Sequence, residues 1–134
     1  MADWFTFHLD QDAKVVTVDI QTQTLLENQP ETYDEADEVC RDVIMPIVYK
    51  VRESCVEKGY LQKCTVDLKG VDVTLMSPTI LARMIWNIYD YTKDKPENLI
   101  NEFRVTNANT FFKGVYKVSR NLLPEYMKSR IFVS

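Results

Sequence analysis

Tyr60 to Gly70 reads YLQKCTVDLKG. Cys64, Val66 and Leu68 alternate with polar residues, the period of a strand with one buried face, and Asp67-Leu68-Lys69-Gly70 closes it with a turn. Gly70 is one of only three glycines in the chain, which suggests a backbone demand at that turn. On either side the apolar period changes to that of a helix. A strand held between helices takes parallel neighbours, so this stretch is expected to be the central strand of an α/β sheet.

Upstream, Ala36, Val39, Cys40, Val43, Ile47, Val48, Val51 and Cys55 recur at helical spacing, and Gly59 supplies the stop. Thr32-Tyr33-Asp34-Glu35 fits a capping box at the start of that helix. Asp34, Glu35, Asp37 and Glu38 favour the positive end of its dipole, and Pro46 should kink it. The polar stretch Gln21 to Glu31, with Pro30, reads as a loop. Before it, Trp4–Leu9 and Val15–Ile20 alternate and are joined by polar Asp10 to Lys14, a hairpin that puts His8 on the face opposite Phe5 and Phe7.

Downstream, Ser77-Pro78 starts a helix whose stripe is Ile80, Leu81, Met84, Ile85 and Ile88, with Trp86 off the stripe and Lys95-Pro96 closing it. Ile100–Thr106 is a strand with Phe103 and Val105 on one face, and Arg130–Val133 is long enough for a short last strand. Between them lies Asn107 to Ile131, NANTFFKGVYKVSRNLLPEYMKSRI. On a helix, Phe111, Phe112, Val115, Tyr116, Val118, Leu122 and Leu123 fall in one apolar arc, and Lys113, Lys117 and Arg120 stand opposite. The fold class is therefore α/β, a mixed sheet of about five strands with an N-terminal hairpin and covering helices, in a single domain spanning residues 1–134.

A chain of 134 residues, 46% hydrophobic and 27% charged, has enough apolar material for one core. Its net charge of −4 is uneven, with 6 basic and 14 acidic residues up to Asp67 and 10 basic and 6 acidic from Leu68 onward. An acidic total argues against nucleic acid as a partner. Cys40, Cys55 and Cys64 form no CxxC pair and His8 is the one histidine, so no zinc site is expected and the thiols read as buried and reduced. The acidic cluster near residue 35 lacks the glycine-centred loop of an EF-hand. No serine, cysteine or second histidine completes a nucleophilic triad, so neither an enzyme nor a cofactor is expected. The first residues, Met1 to Trp4, lack a signal peptide's basic start and apolar block, and no apolar run reaches the roughly 18 residues needed to cross a bilayer. The expectation is a cytoplasmic protein.

Asp67-Leu68-Lys69-Gly70, Pro96-Glu97, Asn107-Ala108, Phe112, Tyr116, Leu123 and Arg130-Ile131 follow in an order that resembles the CRAL-TRIO lipid-binding domain family, in a compact, C-terminally short version. Asn109 stands where the family motif has proline, and Lys95-Pro96 where it has Tyr-Pro. The resemblance implies a lipid or other small hydrophobic ligand held under a gate-like helix, with Phe111, Phe112, Val115, Tyr116, Leu122, Leu123 and Trp86 around it. Lys113, Lys117 and Arg120 would then contact an anionic membrane surface or an anionic protein partner, making the protein peripheral to the membrane. The alternative is a non-enzymatic interaction module, similar to the BCH branch of the same superfamily or to STAS domains, in which Phe111, Phe112, Tyr116 and Trp86 fill the pocket. STAS resembles the chain in strand and helix order, but its Asp-Ser pair falls on Leu75 and Met76 here.

Overall fold

The computed structural model describes residues 5–94 and 101–134. Trp4, the Lys95-Pro96 stop, the Pro96-Glu97 motif and Ile100 lie outside the described residues.

β1 (Phe5–Asp10) and β2 (Val15–Ile20) form the expected hairpin, antiparallel with Leu9 opposite Val16 and Asp10 opposite Val15. The turn is closed by Asp10 Oδ1, which accepts from the Ala13 N–H at 2.9 Å, and by Lys14 at φ 57°. β3 (Leu61–Asp67), β4 (Glu102–Thr106) and β5 (Ile131–Val133) then add in chain order, each parallel to its neighbour. β3 is the middle strand of the five.

Successive right-handed crossovers between neighbours placed in one direction put every helix on the same face. Burial follows that rule: Val16, Val18, Cys64, Val66 and Val105 point under the helices and are buried. The opposite face is polar. There Thr65 donates to Asp19, Lys63 and Arg104 both pair with Glu102 at 3.3 and 2.7 Å, and the Arg104 guanidinium lies 4.9 Å over the Phe132 ring.

The stretch Gln21 to Glu31, expected to be a loop, instead holds α1 (Thr22–Glu27). Leu26 drives it: the side chain is buried, and the polar residues around it are bonded outward. Gln23 Oε1 accepts from Asp72 N–H at 2.9 Å, while the Gln29 side-chain amide bridges Leu75 O and Ser77 N–H. Ser77 takes the expected N-cap position ahead of the next helix with Pro78 first inside it, but its side chain makes no capping bond.

The long helix after the capping box divides into α2 (Tyr33–Val39), one widened π turn (Cys40–Ile44) and α3 (Met45–Lys58). The widened turn sits directly ahead of Pro46, whose ring and missing N–H forbid the ordinary bond to the residue four back. Thr32 Oγ1 caps Glu35 N–H at 3.1 Å, and the Glu35 carboxylate returns to Glu31 N–H at 3.0 Å, one residue earlier than a capping box requires. α4 (Pro78–Thr92) follows β3, and α5 (Thr110–Ser119) follows β4. The amphipathic helix expected over Phe111 to Leu123 ends at Ser119, gives way to a tight turn at Arg120–Leu122, and is followed by a separate short helix, α6 (Glu125–Lys128). Pro124 forces the break, since the residue before a proline is pushed out of helical backbone and Leu123 is extended at ψ 154°.

Gly59 ends α3 at φ 70°, and no atom lies within 4 Å of a Cβ placed there. The cost of a side chain is thus purely conformational, and Gly59→Ala should lower the free energy of unfolding by about 1 kcal/mol in urea titration. Gly59→Asn should recover part of it.

At the other strand end, Asp67 Oδ1 accepts from Lys69 N–H at 2.9 Å and from the Asn107 amide at 2.8 Å, tying the exits of β3 and β4 together. Asn107 first, and the Lys69 N–H second, hold this carboxyl below its usual range. A depressed folded-state value contributes stability that is full above the unfolded value of about 3.9 and is lost as pH falls through the folded one. Asp67→Ala should therefore lower the urea midpoint at pH 7, and the gap to the parent should narrow below about pH 4. An unchanged midpoint at pH 7 would show that the turn holds without the carboxylate.

Candidate functional site

α5 starts at Asn109, whose side-chain oxygen accepts from Phe112 N–H at 2.8 Å. At about 100° per residue, Val115, Ser119, Phe112 and Tyr116 share one side, Val118 and Phe111 one flank, and Lys113, Lys117 and Arg120 the other. No residue of α5 is buried. That is unusual for a helix with so apolar a side, and the cause lies beneath it.

Under α5 is a cavity of about 230 Å³. Phe112, Val115, Tyr116, Ser119 and Leu123 roof it, Val66, Leu68 and Val105 form the sheet side, and α1 and α4 supply the walls with Leu25, Leu26, Leu81 and Ile85. Farther along the sheet, a second space of about 100 Å³ is lined by Val51, Gln62, Cys64, Thr92 and Met127. Ile20, Ile44, Ile85, Ile88 and Phe103 border both and form the partition between them.

Of the ligand-contact residues named from sequence, Phe112, Val115, Tyr116 and Leu123 line the larger cavity. Phe111, Leu122 and Trp86 do not line it. Phe111 is 53% exposed and Leu122 is also exposed, as is Val118 at 76%, although all three fall in the apolar arc. The arc is wider than the cavity, and the helix is rolled so that one edge faces solvent. Trp86 donates its indole N–H to Leu122 O and meets Tyr89 edge-on at 5.8 Å, fastening the turn after α5 to α4. Phe112 and Tyr116 stack on each other at 6.2 Å and leave the cavity open beneath them.

Sequence reading missed the walls. Leu81 and Ile85 belong to a stripe that periodicity cannot distinguish from ordinary core, and Leu25 and Leu26 were hidden in a segment read as loop. The wall formed by α4 is held by Asp37, whose carboxylate grips the Arg83 guanidinium with two bonds of 3.0 Å and accepts from the Asn87 amide at 2.6 Å. Arg83 first and Asn87 second keep the Asp37 carboxyl below its usual range.

Polar groups able to do chemistry are few here. Burial pushes the Cys40 thiol up to about 11 and raises Cys55 and Cys64 as well, so all three stay protonated and unreactive near neutrality. His8 is exposed on the opposite face of the sheet, 3.9 Å from Asp19. Among the described residues, no three of His, Cys, Asp or Glu are placed to hold a metal, and no helix is long and apolar enough to cross a membrane.

No protein-family model matches the chain, and no curated protein matches it. Its fold is that of Sfh5, a yeast protein of the Sec14/CRAL-TRIO family, with a TM-score of 0.68 over 98% of the chain at 15% sequence identity. The chain spans 46% of Sfh5.

If α5 were packed directly on the sheet, enlarging Val115 would strain the core by about 1–3 kcal/mol. Over a cavity the added ring has space to enter. Val115→Phe is expected to leave the urea midpoint unchanged or raise it, and a clear drop would mean that no usable space lies under the helix.

Proposed function

We propose that the chain binds a lipid or other apolar small molecule in the cavity beneath α5, without chemical conversion, and that the basic flank of α5 meets an anionic membrane surface on the cytoplasmic side. The observation that carries this reading is an apolar cavity of about 230 Å³ under a helix with no buried residue. The pocket is partly open, so its apolar lining is left in contact with water at a cost in hydrophobic free energy. An apolar occupant would offset that cost. The fold shared with Sfh5 supports a lipid-class ligand at a coarse level.

The outer side of α5 supports the membrane contact. Its two flanks differ, with exposed Phe111 and Val118 on one and Lys113, Lys117 and Arg120 on the other. Such a helix can rest in an interface with its apolar edge among acyl chains and its cations at phosphates. None of the three cations has an ion-pair partner among the described residues.

Two measurements test the reading. A fluorescent apolar probe should bind the parent in a saturable way, and Val115→Phe should weaken it at least tenfold by occupying the same space. Changing Lys113, Lys117 and Arg120 together to glutamine removes up to about 1 kcal/mol of attraction per residue, which amounts to about a hundredfold in binding to phosphatidylserine vesicles at low salt. The melting temperature should hardly move, because the three side chains are exposed. A parent protein that fails to sediment with anionic vesicles at low salt contradicts the membrane contact.

A further inference from the structure

The inward row of β3 is Gln62, Cys64 and Val66, continued by Leu68 just past the end of the strand. Three members are apolar, and the first is an amide that is only 6% exposed. Its backbone is fully used, since Gln62 N–H donates to the Asn101 side chain at 2.9 Å and Gln62 O accepts from Asn101 N–H at 3.1 Å. Its side-chain oxygen, Oε1, is buried and has no hydrogen-bond partner among the described residues. A buried acceptor left so keeps its whole desolvation penalty, which an aliphatic residue at this position would not incur.

Gln62 lines the smaller cavity, the one farther from α5. Of the two hydroxyls that line this cavity, that of Thr92 donates to Ile88 O at 2.7 Å and that of Tyr89 makes no bond to Oε1. The two cavities follow one another along β3, Val66 and Leu68 beside the larger, Gln62 and Cys64 beside the smaller. Four steps along the strand carry the chain from Gln62 to Val66, about 13 Å. The partition is made of isoleucine and phenylalanine side chains, which a ligand can move by rotamer changes.

We propose that Gln62 Oε1 is the polar anchor for the buried end of the ligand, and that this ligand is an apolar molecule carrying one neutral hydroxyl. The inference rests on the reading that the cavity beneath α5 holds an apolar ligand. The apolar body lies in the larger cavity, and the hydroxyl reaches through the partition to donate to Oε1. An ether or ester oxygen cannot make this bond, because two acceptors do not pair. A charged ammonium is excluded by cost, as no carboxylate lines the smaller cavity to compensate for its desolvation.

The probes are 1-decanol and decyl methyl ether, which share a chain and differ in the donor; the ether's extra methyl group works against the expected result. The parent should bind the alcohol about tenfold more tightly, the worth of a buried hydrogen bond whose acceptor is otherwise unpaired. In Gln62→Leu the preference should fall to within about twofold, while the urea midpoint without ligand rises. Gln62→Met, unbranched and close in volume, repeats the measurement should leucine pack poorly. Equal binding of both probes by the parent, or a preference that survives both substitutions, overturns the anchor and means that a trapped water satisfies the amide instead. Failure of both probes to bind the parent overturns the apolar-ligand reading along with it, an outcome distinct from equal binding.

Discussion

The parallel pairing of β3 between β2 and β4 is the constraint from which the rest of the structure follows. Each parallel neighbour requires a crossover, and because the strands add in chain order every crossover returns on the same side. The sheet thus has one covered face and one face in water. All burial must be found in a single layer, where α3 packs on Val16, Val18 and Cys64, and α2 with the widened turn after it packs on α4 through Ala36, Cys40, Ile44, Ile80 and Met84. The face in water needs no such cover, and its lysine, glutamate and arginine pairs are the ordinary dress of a solvated sheet.

Within that one layer the two ends of the sheet are covered unequally. α3 presses on the sheet directly. α5 reaches it through Phe112, which packs beside Val66, Leu68, Val73 and Val105, and through the turn that holds Leu123. Ala82 and Ser119 line the cavity as well, and small side chains there leave space that larger ones would fill. The cavity lies toward the carboxyl ends of the strands, where α/β folds with parallel strands commonly place their ligands. It arises from a ten-residue crossover helix whose start is fixed by Asn109 and whose following turn is fixed by Pro124 and Trp86, while no residue of the helix itself is buried.

Much of this was legible in the residues. The hairpin, the central strand at Leu61–Asp67 and the parallel strand carrying Phe103 and Val105 follow from period alone, and the left-handed residues Gly59 and Gly70 stand where turns were needed. The failures have local causes. α1 rests on two leucines amid polar residues, too little for periodicity to register, and it forms because tertiary burial of Leu26 and the bonds of Gln23 and Gln29 hold it. The break after Ser119 was signalled by Pro124, but a continuous apolar arc outweighed it. The roof of the cavity was readable because a helix shows its faces in sequence. The walls were not, since core and cavity lining use the same residue types, and the isolated glutamine of β3 acquires meaning only when its neighbours are seen to offer it nothing.

The most direct measurement is native mass spectrometry of the full chain purified from a eukaryotic host, followed by organic extraction of the same sample. A cavity that serves a ligand predicts one apolar molecule per chain, lost on denaturation and recovered in the extract. A protein found only at the mass of the bare polypeptide, with an empty extract and no uptake of apolar molecules from added vesicles, would contradict it.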